Sequence, residues 1–263
     1  MDQRGLSYDD ALAAAAAKGY AEADPTLDVG GYDARSKLAI LIRLAFGVAV
    51  EEGAIEREGI TRLTRTDYEY ARMLGGTIKL MGVARTSPGS PGSPPALSAF
   101  VSPVFLPSSD PLASVSDAVN AVEIESANLG RTAYAGEGAG RGPTANSVVS
   151  DLVKVARGER GAAFPPRDET GLAFREGYES RFYIRLGYRN QLGITKDCGA
   201  LAEEAGISIF SMLQNPTDAG SDASVFVLTT ETVGVGDVRK FAKLVEERPW
   251  CEGEVFYMPI LRD

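Results

Sequence analysis

The chain has no histidine. The side chain that most often moves protons near neutral pH is therefore missing, and any proton transfer falls to Lys, Asp, Glu, Tyr or Cys. Cysteine is scarce: Cys198 and Cys251 are the whole complement. Two thiols make no disulfide framework, and without histidine they form no Cys/His zinc cluster. Both read as ordinary thiols of a reducing cytoplasm, and no metal is expected. No apolar run approaches the ~20 residues that span a bilayer. The alanine run Ala13–Ala17 sits between Asp9, Asp10 and Lys18 with no basic segment before it, which argues against a secretory signal. A basic stripe is also missing: 27 Lys+Arg against 36 Asp+Glu leave a net charge of −9, with the acids spread along the chain. These absences exclude a phosphate track for nucleic acid and a polybasic membrane patch.

What is present is enough for two ordinary domains: 263 residues, 44% of them hydrophobic. The densest local signal runs from Gly19 to Lys37. Glu22, Asp24, Asp28, Asp33 and Lys37 crowd into a loop punctuated by Pro25, Gly30 and Gly31, just before a strongly apolar helix. Asp33 and Lys37 stand four apart, so on a helix they share one face. That spacing serves an ordinary surface salt bridge or an acid–base pair. On spacing alone the salt bridge is the commoner case, and the carboxylates just upstream add weight to the second reading, because like charges in a short loop repel unless they are solvated or serve a cation.

The order Glu22, Asp24-Pro25, Asp28, then Gly31-Tyr32-Asp33-Ala34-Arg35-Ser36-Lys37 resembles the substrate signature of homoserine dehydrogenases, spacing for spacing. The resemblance implies that Lys37 transfers the proton. It also implies that Asp33 places and polarises the substrate oxygen, and that Glu22 receives the substrate ammonium. Asp28 and Tyr20 belong to the same substrate wall. A departure lies at Asp110, where the family often has His before Pro111-Leu112-Ala113.

Along the chain, Ser7 and Asp10 predict a capped helix over Tyr8–Lys18, ended by Gly19. A second helix is predicted from about Asp33 to Glu52, with Leu38, Ile40, Leu41, Leu44, Ala45 and Val48 largely buried. Ile60–Leu63 reads as a short strand or turn, and a helix follows from Thr66 or Asp67 to Leu74. Thr77–Ala84 reads as a buried strand. Thr86–Ser98 is a Ser/Pro/Gly-rich surface loop extending a hairpin. Ala99–Leu106 and Val119–Glu125 are strands, with the turn between them at Asp110-Pro111.

Tyr134–Ala145 carries alternating glycines. The dinucleotide fingerprint G-x-G-x-x-G fails there, since its third glycine would fall on Arg141. The stretch is similar to the family's Gly-rich turn, which implies that Gly136, Gly138 and Gly140 approach the nicotinamide end of NAD or NADP. A plain loop-to-helix connection is the other reading. Thr144 or Asn146 is the expected cap of a helix over Ser147–Ala156, whose apolar face is Val148, Val149, Leu152, Val153 and Val155.

Residues 158–178, with Pro165-Pro166, read as an extended, exposed linker between a unit over residues 1–157 and another over 179–263. The second unit alternates as βαββαβ, a ferredoxin-like split pattern. It resembles an ACT domain, the small module that binds amino acids. Asn190-Gln191-Leu192-Gly193-Ile194 stands where that family usually reads Asp-x-Pro-Gly. The resemblance implies an effector such as threonine near Asn190, Gly193 and Ile194, although the exchange of Asp for neutral Asn190 weakens ammonium recognition.

The fold class expected is therefore α+β: a homoserine-dehydrogenase-like substrate domain, with helices on a mixed or antiparallel sheet, followed by an ACT-like domain. The resemblance implies NAD(P)-dependent interconversion of L-aspartate 4-semialdehyde and L-homoserine in threonine, methionine and isoleucine biosynthesis. The family's nucleotide-binding domain has no counterpart here, so it is expected to be lost by truncation or supplied by a separate chain. A homodimer or homotetramer is expected. The rival reading is a non-catalytic amino-acid sensor that acts through residues 179–263.

Overall fold

The structure, a computed structural model, describes residues 1, 5–17, 24–89, 94–160, 171–214 and 223–261. Helix α1 (Tyr8–Ala17) starts as its sequence requires: the Asp10 N–H donates to Ser7 Oγ at 3.2 Å, and the hydroxyl donates to the Asp10 carboxylate at 2.7 Å. Gly19, its expected stop, lies outside the described residues.

A one-turn helix, α2 (Thr26–Val29), leads into α3 (Tyr32–Phe46). The expected continuation of α3 to Glu52 does not occur. Gly47 takes φ 69°, and its N–H closes on Arg43 O at 3.2 Å, a left-handed stop that other residues adopt only with strain. The expected broad burial of α3 is also narrower. Leu38 and Ile42 are buried, while Ile40, Leu41 and Leu44 are exposed. At about 100° per residue, a single i, i+4 stripe meets the sheet and the flanking positions turn away from it.

After β1 (Glu56–Arg57), helix α4 (Arg65–Met73) begins at Thr64, where the Asp67 carboxylate accepts the Thr64 N–H at 2.7 Å. Strands β2 (Gly76–Ser87) and β3 (Ala96–Pro107) form a long antiparallel hairpin, registered from Gly76↔Pro107 to Ser87↔Ala96. Only the first residues of β2, Gly76 to Ile78, are buried, so the expected buried strand is buried at its start alone. The Ser/Pro/Gly-rich stretch falls at the hairpin's tip, and residues 90–93 within it are outside the described set.

Strand β4 (Val119–Ser126) pairs with β5 (Gly130–Glu137) in a separate hairpin. The sequence signalled no β5: exposed residues with little β preference carry it, and pairing with β4 holds it. Helix α5 (Arg141–Ala156) starts before the expected Ser147, with Gly140 rather than Thr144 or Asn146 at its N-cap. Its apolar residues Val148, Val149, Leu152, Val153 and Val155 are all exposed.

The stretch expected to be an exposed linker contains β6 (Ala173–Phe174), which pairs in parallel with the start of β3. Beyond it, β7 (Glu179–Arg189), α6 (Ile194–Ala205), β8 (Ile209–Gln214), β9 (Ala223–Thr230), β10 (Val233–Gly234), α7 (Val235–Glu246) and β11 (Phe256–Ile260) realise the βαββαβ order, β10 being a two-residue addition against β7. Their spatial order, β11-β7-β9-β8, continues directly into β3 and β1 through the parallel pair Ile260↔Phe105. One mixed sheet thus runs through both halves of the chain.

Alternation along the strands divides the core. Leu97, Ala99 and Val101 of β3 pack with Leu38 and Ile42 of α3, and Phe105 packs on the same side with Tyr68 and Tyr70 of α4 and with Tyr183, Val227 and Met258. On the opposite side, Phe182, Ile184, Leu186 and Phe226 pack under Leu201 of α6 and Phe241 of α7. The result is a mixed sheet between a layer made by α3 and α4 and a layer made by α6 and α7.

Candidate functional site

The site is built on a loop whose turns depend on a few particular residues. Asp24 Oδ1 accepts the Thr26 N–H at 3.1 Å and opens α2; hydrogen bonding from the Thr26 hydroxyl, then from its N–H, holds the exposed Asp24 carboxyl below its ordinary range. The Gly30 and Gly31 N–H groups donate to Thr26 O at 2.9 Å and Asp28 O at 3.0 Å. Gly31 then takes φ 78° at the N-cap of α3. A Cβ there would lie 3.2 Å from Val101 Cγ1 of β3, so glycine answers both the dihedral and the space.

The turn delivers Asp33 into the first turn of α3, where the helix dipole favours a carboxylate. Lys37, one turn on, lies 2.5 Å from Asp33 Oδ2. Both remain open to solvent, with side-chain exposures of 61% for Lys37 and 45% for Asp33. Behind them, Ser36 Oγ donates to Glu52 Oε2 at 2.8 Å. The arrangement offers an ammonium and a carboxylate side by side at an accessible helix start, chemistry suited to moving a proton at a substrate oxygen.

Of the other expected site residues, Asp28 is exposed on α2, next to this turn, and its carboxylate makes no ion pair among the described residues. Glu22 and Tyr20 lie outside the described residues. Gly136 sits within β5 opposite Asn120, Gly138 is in the following turn, and Gly140 has φ 118° at the head of α5. The hairpin that carries Gly136 is a separate two-stranded sheet, whereas α3 with Lys37 packs on β3 of the main sheet. In the C-terminal half, Gly193 at φ 91° heads α6, Ile194 is buried beneath it, and Asn190 is exposed.

The sequence reading missed the residues that hold the loop. Arg57 of β1 places its guanidinium 3.7 Å from the centre of the Tyr32 ring and donates through Nη1 to Gly30 O. Gly59 lies against the same loop: a Cβ on it would fall 2.4 Å from Val29 O and 2.8 Å from Gly30 Cα. The Ile60 N–H donates to Val29 O at 2.8 Å. The only sequence signal was the isolated Gly59 in a charged stretch.

A mixed sheet between two helix layers, with an exposed carboxylate–lysine pair where one helix begins, defines an α+β protein with a candidate acid–base site. The sequence model of a family described as homoserine dehydrogenase matches residues 1–153, and the chain belongs to that family. It is 36% identical over 253 residues to the homoserine dehydrogenase of Corynebacterium glutamicum, covering 95% of this chain and 56% of that protein. To the Pseudomonas aeruginosa homoserine dehydrogenase it is 36% identical over 245 residues, covering 89% and 55%. The crystal structure of a homoserine dehydrogenase from Thiobacillus denitrificans superposes with a TM-score of 0.84 at 32% identity, covering 99% of this chain and 60% of that one. The chain thus spans little more than half the length of these relatives. Among the described residues no helix is long and apolar enough to cross a membrane.

Proposed function

We propose that this chain is the substrate-binding and proton-transfer portion of a homoserine dehydrogenase, acting on L-homoserine and L-aspartate 4-semialdehyde. The Asp33–Lys37 pair at 2.5 Å at the head of α3 carries the reading. As the aldehyde is reduced, negative charge builds on its oxygen, and the Lys37 ammonium donates a proton there. Asp33 holds the lysine and the substrate hydroxyl in line. Glu22 takes the substrate ammonium in a charge-assisted hydrogen bond, with Asp28 and Tyr20 completing that wall.

NADH or NADPH, when bound, supplies the hydride and leaves as the oxidised cofactor. The residues present fit its nicotinamide end only: a Cβ on Gly136 would meet nothing within 4 Å, and Gly140 opens α5 with left-handed backbone. Gly136 and Gly140 leave backbone open to close approach, whereas Gly138 is covered by Asn120, whose amide nitrogen would lie 1.9 Å from a Cβ there.

In this reading residues 1–157 bind and turn over substrate, 158–178 connect, and 179–263 form an ACT-like unit that takes an amino acid such as threonine near Asn190, Gly193 and Ile194. The strand order β11-β7-β9-β8 supports the second unit.

The test follows NAD(P)H absorbance with L-homoserine, with the part of the Corynebacterium relative that this chain does not match supplied as a separate chain. Turnover by the wild type and its loss in Lys37→Ala support the reading. Turnover that survives Lys37→Ala removes Lys37 from the chemistry.

A further inference from the structure

Two neighbouring residues of β1 face opposite sides of the sheet and reach opposite halves of the chain. Strand β1 runs parallel to β3, with Glu56 beside Phe100 and Arg57 beside Val101. Val101 belongs to the core under α3, whereas Phe100 stacks on Tyr178 at 3.8 Å on the other side. Alternation therefore aims Arg57 at the loop that opens α3 and Glu56 at α7. Arg57 grips Gly30 O and the face of Tyr32, the residue immediately before Asp33. Glu56 accepts from Arg239 of α7 at 2.5 Å. The following residues, Gly59 and Ile60, press backbone against Val29 and Gly30, so β1 and the loop are joined along several atoms.

We propose that Arg57 is a positioning residue for the Asp33–Lys37 pair, and that Glu56 links that position to α7 in the C-terminal half. This rests on the reading of Asp33 and Lys37 as substrate-handling groups. Arg57 touches no reacting atom; it acts through Gly30 and Tyr32, fixing where the first turn of α3 begins. A shift of α7 pulls on Glu56, and the adjacent Arg57 carries it to the loop. The guanidinium suits this task, because its flat fork stacks on Tyr32 while one arm bonds the carbonyl, a geometry that an ammonium does not reproduce.

The experiment titrates L-homoserine into the full chain and follows backbone amides by NMR, with thermal midpoints recorded in parallel. In the wild type, saturable shifts are expected over the loop and α3. Arg57→Ala is expected to weaken homoserine binding about tenfold, as a misplaced binding group does, with altered shifts centred on Gly30–Lys37. Arg57→Lys, which keeps the charge and serves if the alanine variant fails to fold, recovers only part of the affinity. Arg239→Gln weakens binding in the same direction, and in the double variant with Arg57→Ala the loss is not additive, as for two residues acting through one linked path. Wild-type affinity in folded Arg57→Ala or Arg57→Lys overturns the positioning role, and strict additivity with Arg239→Gln overturns the link. Absence of homoserine binding by the wild type refutes the functional reading itself, and the proposal with it.

Discussion

At Asp67, a fully buried carboxylate answers four donors: the Thr64 N–H at 2.7 Å, Thr64 Oγ1 at 2.9 Å, Tyr183 Oη at 2.9 Å and Arg185 Nη1 at 2.8 Å. Its partners come from α4 and from β7, so one side chain ties both halves together. Removing it leaves a nearly buried guanidinium without its counter-charge and a buried phenol without its acceptor. Asp67→Ala is expected to lose about 3–5 kcal/mol of stability in urea unfolding, and a loss under 1 kcal/mol would show that the network is dispensable. Cys198 makes a different residue-level test. Burial, helped by the charge of Asp197, pushes its thiol from the ordinary 9.0 to about 12. On raising the pH the unfolded chain gives up this proton first, so stability present below pH 9 is lost between about 9 and 12. The slope of this group is at most about 1.4 kcal/mol per pH unit. Unfolding measured against pH is expected to show a shallower alkaline fall in Cys198→Ala than in the wild type. Tyr183, whose phenol is also raised by burial and by Asp67, keeps part of the fall in both.

At the scale of elements, legibility followed how local the cause was. The cap at Ser7 was readable because one short stretch decides it. The Asp33–Lys37 pair was readable for the same reason: i, i+4 on a helix needs no distant partner. The end of α3 was misread because the apolar pattern continues through Val48, while Gly47 stops the helix on dihedral grounds alone. Strand β5 was invisible because its pairing with β4, rather than its own composition, makes it a strand. Arg57 could not be singled out, since its role comes from β1 lying beside β3 and only then facing Tyr32. A backbone test isolates this contact. Gly59→Ala puts a methyl 2.4 Å from Val29 O, whereas Gly53→Ala meets nothing within 4 Å. The first is expected to shift the amides of residues 29–33 and weaken homoserine binding; the second is expected to leave both as in the wild type. Equal behaviour of the two would mean that the loop position does not depend on this close approach.

For the whole molecule, the decisive feature is that the strands of the C-terminal half join β3 rather than forming a sheet of their own. The two faces repeat the join: Asp67 with Arg185 on the α4 side, Glu56 with Arg239 on the α7 side. The sequence suggested two units because its composition changes near Pro165-Pro166, and long-range pairing such as Ile260↔Phe105 leaves no local trace. Calorimetry is expected to show one cooperative transition; two separated transitions would contradict the continuous sheet as an energetic unit. The exposed apolar stripe on α5 belongs to this scale as well, because nothing among the described residues covers it. The central claim is that the loop ending at Lys37 receives L-homoserine, and a titration of the chain with L-homoserine, comparing wild type with Glu22→Ala, tests it most directly. The account predicts saturable binding by the wild type, with shifts over Asp24–Lys37, and markedly weaker binding when the carboxylate is removed. Equal affinity in the two proteins, or no binding in either, would contradict it.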